Sequence, residues 1–183
     1  MSITLVSDVF GITPGLLRLK DELGATTIVD PYNGQSMAFN NEADAYSYFV
    51  STVGLECYVS ILLKALETFE SPTTLVGFSV GASAVWSLSA SDERNLVKQA
   101  FCFYGSQIRN LTEIVPCYQT NLVFPQSELH FDVAELIYKL KNKPNVSISQ
   151  VEYLHGFMNY HSTNFNEEGY KEHVALLQSV ISD

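Results

Sequence analysis

Gly77-Phe78-Ser79-Val80-Gly81 sets one serine between two glycines. It follows the apolar run Thr74-Leu75-Val76 and precedes a small-residue segment suited to a helix. A G-x-S-x-G elbow needs this context. Its serine sits on a tight strand-to-helix turn, and residues two positions away must be small to clear the adjoining elements. Gly77 and Gly81 supply that room. The backbone N–H of Val80, at the helix start, is then free to bind a developing oxyanion. A plain turn that uses its glycines for packing is the competing reading.

A serine hydroxyl needs a base to become a nucleophile near neutral pH. Of four histidines, His173 falls inside a helical pattern, His161 in a polar loop and His130 where a helix could begin. His155 directly follows a strand-like run, which puts it on the same sheet edge as Ser79. The base in turn needs a carboxylate that fixes its tautomer and stabilises its charged form. In the chain order serine, acid, histidine, that acid follows the fifth strand. Glu128 and Asp132 both qualify by position. Asp132 also fits a helix N-cap, since it immediately precedes an amphipathic run.

These residues require elements to hold them. Ile3–Val6, Thr26–Val29, 73–78, Ala100–Tyr104, Asn121–Phe124 and Val146–Tyr153 read as strands. Helical patterns cover 13–23, 41–69 with a break near Gly54, 80–90, 133–141 and 168–181. Short continuous apolar strands with helices between them are covered on both faces. The expected architecture is a doubly wound, mostly parallel α/β sheet of about six strands with helices on both faces. Its ligands bind at the carboxyl ends of the strands. No linker or repeat interrupts the chain, so residues 1–183 are expected to form one domain.

The chain carries a formal net charge of -10, which disfavours nucleic acid and anionic membrane as partners. Its three cysteines show no CxxC spacing and are expected as buried free thiols in a reducing compartment. No signal-peptide pattern follows Met1, and no apolar stretch approaches the ~20 residues of a membrane span. The cytoplasm is the expected location. No His/Cys/Asp/Glu cluster has ligand spacing, so no metal or organic cofactor is expected. Exposed edges of a small sheet leave room for a homodimer.

Four segments together resemble the dienelactone hydrolase family, a branch of the α/β-hydrolases. Asp8-Val9-Phe10-Gly11 is similar to the family's acidic-aliphatic-Phe-Gly turn after its first parallel strand. Gly77–Gly81 matches the elbow, Phe103-Tyr104-Gly105 the end of the next strand, and His155-Gly156-Phe157 the histidine motif. The resemblance implies a nucleophilic Ser79, a basic His155 and an acid at Glu128, with Pro125 replacing the family's glycine. It implies a second oxyanion donor in the N–H of Val9, beside that of Val80. Asp8 corresponds to a family glutamate that contacts the resting nucleophile, and Asp8, Phe10, Gly77 and Gly81 support the site. Tyr104 and Phe157 would line the substrate.

The chain departs from the family pattern in three ways. Dienelactone hydrolases proper use cysteine in the elbow, although related members use serine. Gly-Ala replaces Gly-Gly after the nucleophile. Met158-Asn159 follows Phe157, where true lactonases place an arginine that grips the substrate carboxylate. The chain begins near the first parallel strand, as expected of a minimal version of the fold. Cleavage of a small carboxylic ester, thioester or lactone through an acyl-enzyme is the leading expectation. A non-catalytic binding protein on the same fold, or an acyltransferase using the same acyl-enzyme, stays open. The aromatics Tyr46, Tyr48, Phe49 and Tyr58 fit either core or a pocket wall. Tyr153, Tyr160 and His161 lie where they could shape specificity.

Overall fold

The computed structural model describes residues 2–92 and 94–182. Six strands form one sheet in the order β2-β1-β3-β4-β5-β6, and all five pairings are parallel. The strands are β1 (Ser2–Val6), β2 (Thr27–Val29), β3 (Thr73–Phe78), β4 (Val97–Phe103), β5 (Gln119–Phe124) and β6 (Val146–Gln150). The chain winds outward from β1 to β2, then returns to place β3 on the other side of β1. Strand order therefore reverses between β1 and β3, and a crevice opens there at the carboxyl ends.

The helices are α1 (Pro14–Leu23), α2 (Glu42–Thr52), α3 (Gly54–Leu66), α4 (Val80–Leu88), α5 (Val133–Leu140) and α6 (Glu167–Ser182). Two apolar layers flank the sheet. On one face, Tyr58, Leu62 and Leu66 of α3, Val85 and Trp86 of α4, and Leu136 and Leu140 of α5 pack on Leu75 and Leu122. On the other, Leu19 and Leu23 of α1 and Tyr170, Val174 and Leu177 of α6 cover Ile3, Leu5, Val76 and Phe103. Adjacent Leu75 and Val76 feed opposite layers, because side chains alternate along a strand. All six residues of β3 are buried, as a strand covered on both faces requires.

Local chemistry sets several boundaries. The Thr13 hydroxyl accepts from the Leu16 N–H and caps α1, which ends at Gly24 with φ 62°. The 41–69 pattern is two helices bent by 79°, and the break falls at Gly54, whose φ is 71°. Among the described residues no single helix is long and apolar enough to cross a membrane.

Three expectations need correction. β4 begins at Val97, ahead of its apolar run, because Lys98 and Gln99 occupy the more open end of the strand. β6 stops at Gln150 rather than Tyr153. Beyond it the Tyr153 carbonyl accepts from the Gln126 N–H at 2.8 Å, tying this segment to the loop after β5. Only Cys102 is a buried thiol; Cys57 and Cys117 are exposed. Cys57 precedes Tyr58, whose side chain takes the inward position on α3.

Candidate active site

Ser79 joins β3 to α4 with φ 52° and ψ −114°. A non-glycine residue held there costs roughly 1–3 kcal/mol, so the surrounding packing must impose it. A Cβ at Gly77 would lie 2.9 Å from the backbone of Ala82, and one at Gly81 would run into the carbonyls of Val6 and Ser7. The two glycines thus let the turn close against both the helix and β1.

The Ser79 hydroxyl lies 3.1 Å from Nε2 of His155. Nδ1 of the same ring lies 2.7 Å from Oε1 of Glu128. Asp132, the other sequence candidate for the acid, is not at the histidine. Its carboxylate accepts from the N–H groups of Ala134 and Glu135 and caps α5. Burial would lower the basicity of His155. The hydrogen bond and charge of Glu128, with the charges of Glu42 and Asp8, outweigh it and raise the pKa above its ordinary 6.5. The loop carrying His155 is held by Asn164, whose amide donates to the His155 carbonyl at 2.9 Å.

The loop after β1 spends its hydrogen bonds in a particular way. The Asp8 Oδ1 accepts from the Phe10 N–H at 2.9 Å, and the Asp8 carbonyl accepts from the Gly11 N–H at 3.2 Å. The buried Tyr32 hydroxyl donates to the Val9 carbonyl at 2.7 Å. The buried Tyr58 hydroxyl donates to the Ser7 carbonyl at 2.9 Å and anchors the end of β1 to α3. Among the described residues, the N–H groups of Val9 and Val80 have no protein acceptor. The loop is fixed while these two donors remain unspent.

Asp8 also faces Asn159, whose Nδ2 donates to Oδ2 at 2.5 Å. Burial pushes the Asp8 carboxyl up from 3.8 to about 6, against the two donors, and the nearby Glu42 charge adds to the rise. Phe10 is buried and stacks on His161 at 5.8 Å between ring centroids. A small cavity of about 20 Å³ lies beside Asp8, walled by Leu16, Phe78, Tyr104, Asn159 and Tyr160 among others. It has room for about one water molecule.

Phe157, expected against substrate, is instead fully buried among Phe103, Tyr104, Tyr153 and His173. The left-handed Gly156, with φ 84°, lets the chain dive into the core directly after His155. Tyr153 is half-buried, its ring packed on Phe157 and His173 while its hydroxyl donates to Glu172. Of the α2–α3 aromatics, Phe49 and Tyr58 are core, whereas Tyr46 and Tyr48 are exposed.

Two site residues were missed in the sequence. The Ser106 hydroxyl donates to Oε1 of Glu128 at 2.9 Å and lies 3.2 Å from Nδ1 of His155. Oε1 of Glu42, at the start of α2, lies 3.8 Å from Nε2 of His155. Ser106 follows the strand-ending Tyr104-Gly105, a positional hint. Glu42 looks like an ordinary first-turn acid and carries no hint.

Elbow, crevice and strand order together define an α/β-hydrolase fold. Solved structures share it. A lipase-esterase related protein from Clostridium acetobutylicum ATCC 824 matches with a TM-score of 0.65 at 12% identity, over 96% of this chain and 93% of its own. Est1E from Butyrivibrio proteoclasticus matches with a TM-score of 0.64 at 10% identity, over 98% and 86%. A CIB-like hydrolase from Thermoplasma acidophilum matches with a TM-score of 0.62 at 14% identity, over 97% and 86%. In sequence, the uncharacterised protein YczH of Bacillus subtilis (strain 168) is 37% identical over 107 residues. That match takes in 57% of this chain and 52% of YczH, about half the length of the relative. No protein-family model matches the chain.

Proposed function

We propose that the chain is a serine hydrolase that cleaves a small carboxylic ester, thioester or lactone. The observation that carries this reading is the alignment of Ser79, His155 and Glu128 beside the unspent N–H groups of Val9 and Val80. Ser79 Oγ attacks the carbonyl carbon as its proton passes to Nε2 of His155. Glu128 stabilises the imidazolium at Nδ1. The two N–H groups hold the oxyanion. Nε2 returns the proton to the departing alkoxide or thiolate, leaving an acyl-serine. Water then gives a proton to Nε2 as its oxygen bonds the acyl carbon, and the bond from that carbon to Ser79 Oγ breaks as Nε2 returns the proton to Oγ, which frees the acid and restores the serine.

The esterase and hydrolase names of several structural neighbours agree with this chemistry. Within the fold we place the chain beside the serine-nucleophile relatives of dienelactone hydrolases, on its four sequence motifs. Dienelactone itself does not suit the site, because Asn159 stands near the position of the family's anion-gripping arginine and donates to Asp8.

The test is hydrolysis of p-nitrophenyl acetate and butyrate, with labelling by a fluorophosphonate probe. Wild type is expected to turn over both esters and to be labelled at Ser79. Ser79→Ala is expected to lose both properties. Equal rates in the two proteins, or a folded wild type that resists the probe, would reject the assignment.

A further inference from the structure

Two loops far apart in the chain carry two parts of the proposed chemistry. One, after β1, holds the unspent N–H of Val9; the other begins at the base, His155. A side-chain hydrogen bond joins them across 151 positions, from Nδ2 of Asn159 to Oδ2 of Asp8. The Phe10 ring stacks on His161 between the same two loops.

Asn159 is fixed at every polar atom. Its N–H donates to the Gly156 carbonyl at 2.8 Å, its carbonyl accepts from the Ser162 N–H at 2.9 Å, and its Oδ1 accepts from the His161 N–H at 2.8 Å. The first of these bonds reaches the residue directly after His155. Across the gap, Asp8 divides its oxygens. Oδ2 takes the Asn159 amide, and Oδ1 takes the Phe10 N–H at 2.9 Å. The Asp8 carbonyl takes the Gly11 N–H, and the Val9 carbonyl takes the Tyr32 hydroxyl. Both peptide planes flanking Val9 are thereby set, and the N–H left over is that of Val9.

A tie between two loops needs no carboxylate. Burial pushes the Asp8 carboxyl up to about 6, so its charged form is kept at a cost that an apolar contact would not carry. The ionised carboxylate accepts at both oxygens, which lets one group hold Phe10 and Asn159 together.

We infer that Asn159 is a positioning residue: through the Asp8 carboxylate it aims the Val9 N–H at the place where the oxyanion forms, in register with Ser79 and His155. The inference rests on the hydrolase reading above. An oxyanion donor is effective when it is already aimed as the charge develops. A misplacement of about 1 Å can cost roughly 100-fold in rate.

The test exchanges the two side chains. Asn159→Asp sets two carboxylates against each other, and Asp8→Asn puts a second amide opposite the first. The double variant restores the bond with its direction reversed. The amide at position 8 then donates to the carboxylate at position 159, which still accepts from the His161 N–H, and the net charge is that of wild type. Hydrolysis of p-nitrophenyl acetate is followed on the pH plateau, with thermal melts as the check on folding. Each single variant is expected to lose roughly 10–100-fold in kcat with KM little changed, because the disturbed contact is made in the transition state. The double variant should recover to within about fivefold of wild type. Asn159→Ala deletes the donor without adding charge, should match the single variants, and stands in for Asn159→Asp if that protein does not fold.

Inhibition by 1,1,1-trifluoro-2-butanone gives a second readout. Ser79 Oγ bonds to its carbonyl carbon, the serine proton passes to Nε2, and the ketone oxygen becomes the anion. Its Ki should rise across the variants in step with the fall in kcat/KM. Single variants with wild-type kcat, a loss confined to KM, a double variant no faster than the slower single one, or a Ki that stays at the wild-type value would each overturn the inference while the hydrolase reading stands. Wild-type hydrolysis no faster than that of Ser79→Ala would remove both.

Discussion

Ser79 and His155 stand 76 positions apart in the chain, yet Oγ and Nε2 approach to 3.1 Å. Parallel pairing brings this about. It sends the ends of β3 and β6 to the same edge of the sheet, and the loops beyond them meet over β4 and β5.

In the proposed mechanism His155 must be neutral to accept the serine proton. Glu128, Glu42 and Asp8 hold its pKa above 6.5. The acid limb of kcat/KM should therefore lie above pH 6.5, with activity falling as pH drops through it. Glu128→Gln should move that limb downward and reduce kcat roughly 10²–10⁴-fold. A pH–rate profile of both proteins checks this, and an unmoved limb would remove Glu128 from its role.

In the same mechanism Ser106 would be a positioning residue that acts through Glu128. Its hydroxyl donates to Glu128 Oε1, which stabilises the carboxylate and weakens it as an acceptor for His155. Ser106→Ala should raise the acid limb by a few tenths of a pH unit and lower kcat/KM about tenfold at pH 7. Ser106→Thr, which keeps the hydroxyl, should restore the profile. A merely structural serine would change stability without moving the limb.

Asp8 ties the site to stability. A carboxylate whose folded pKa lies above its unfolded value favours folding when protonated. Its contribution is full below about 3.8 and is lost as pH rises through about 6. Asp8→Asn should stabilise the protein by roughly 1–3 kcal/mol at pH 8 and hardly at all near pH 3.5. Urea melts at the two pH values measure the difference. The same gain at both would contradict the ionisation account.

Gly81 and Gly24 separate space from conformation. A methyl at Gly81 meets the backbone carbonyls of Val6, the last residue of β1, and of Ser7, which the Tyr58 hydroxyl holds in place, whereas one at Gly24 meets nothing within 4 Å. Gly81→Ala should cost more than about 3 kcal/mol. Gly24→Ala should cost only about 1–2 kcal/mol, the strain of its left-handed backbone. Thermal melts that rank them the other way would undo the steric reading of the elbow.

The sequence by itself determined the elements and their order. Apolar runs, helix periodicity, the cap at Thr13 and the glycine spacing around Ser79 act over a few residues, where sterics and local hydrogen bonds suffice. The position of Glu128 after β5 was legible for the same reason, since topology fixes which loops share an edge. What remained open there was Glu128 against Asp132, and tertiary structure separated them by sending one carboxylate to His155 and the other to the N-terminus of α5. Tertiary structure alone also brought Ser106 and Glu42 to the imidazole, set Asn159 on Asp8 and turned Phe157 into the core. Those outcomes depend on where side chains point across contacts between segments distant in the chain, and no local pattern records that direction.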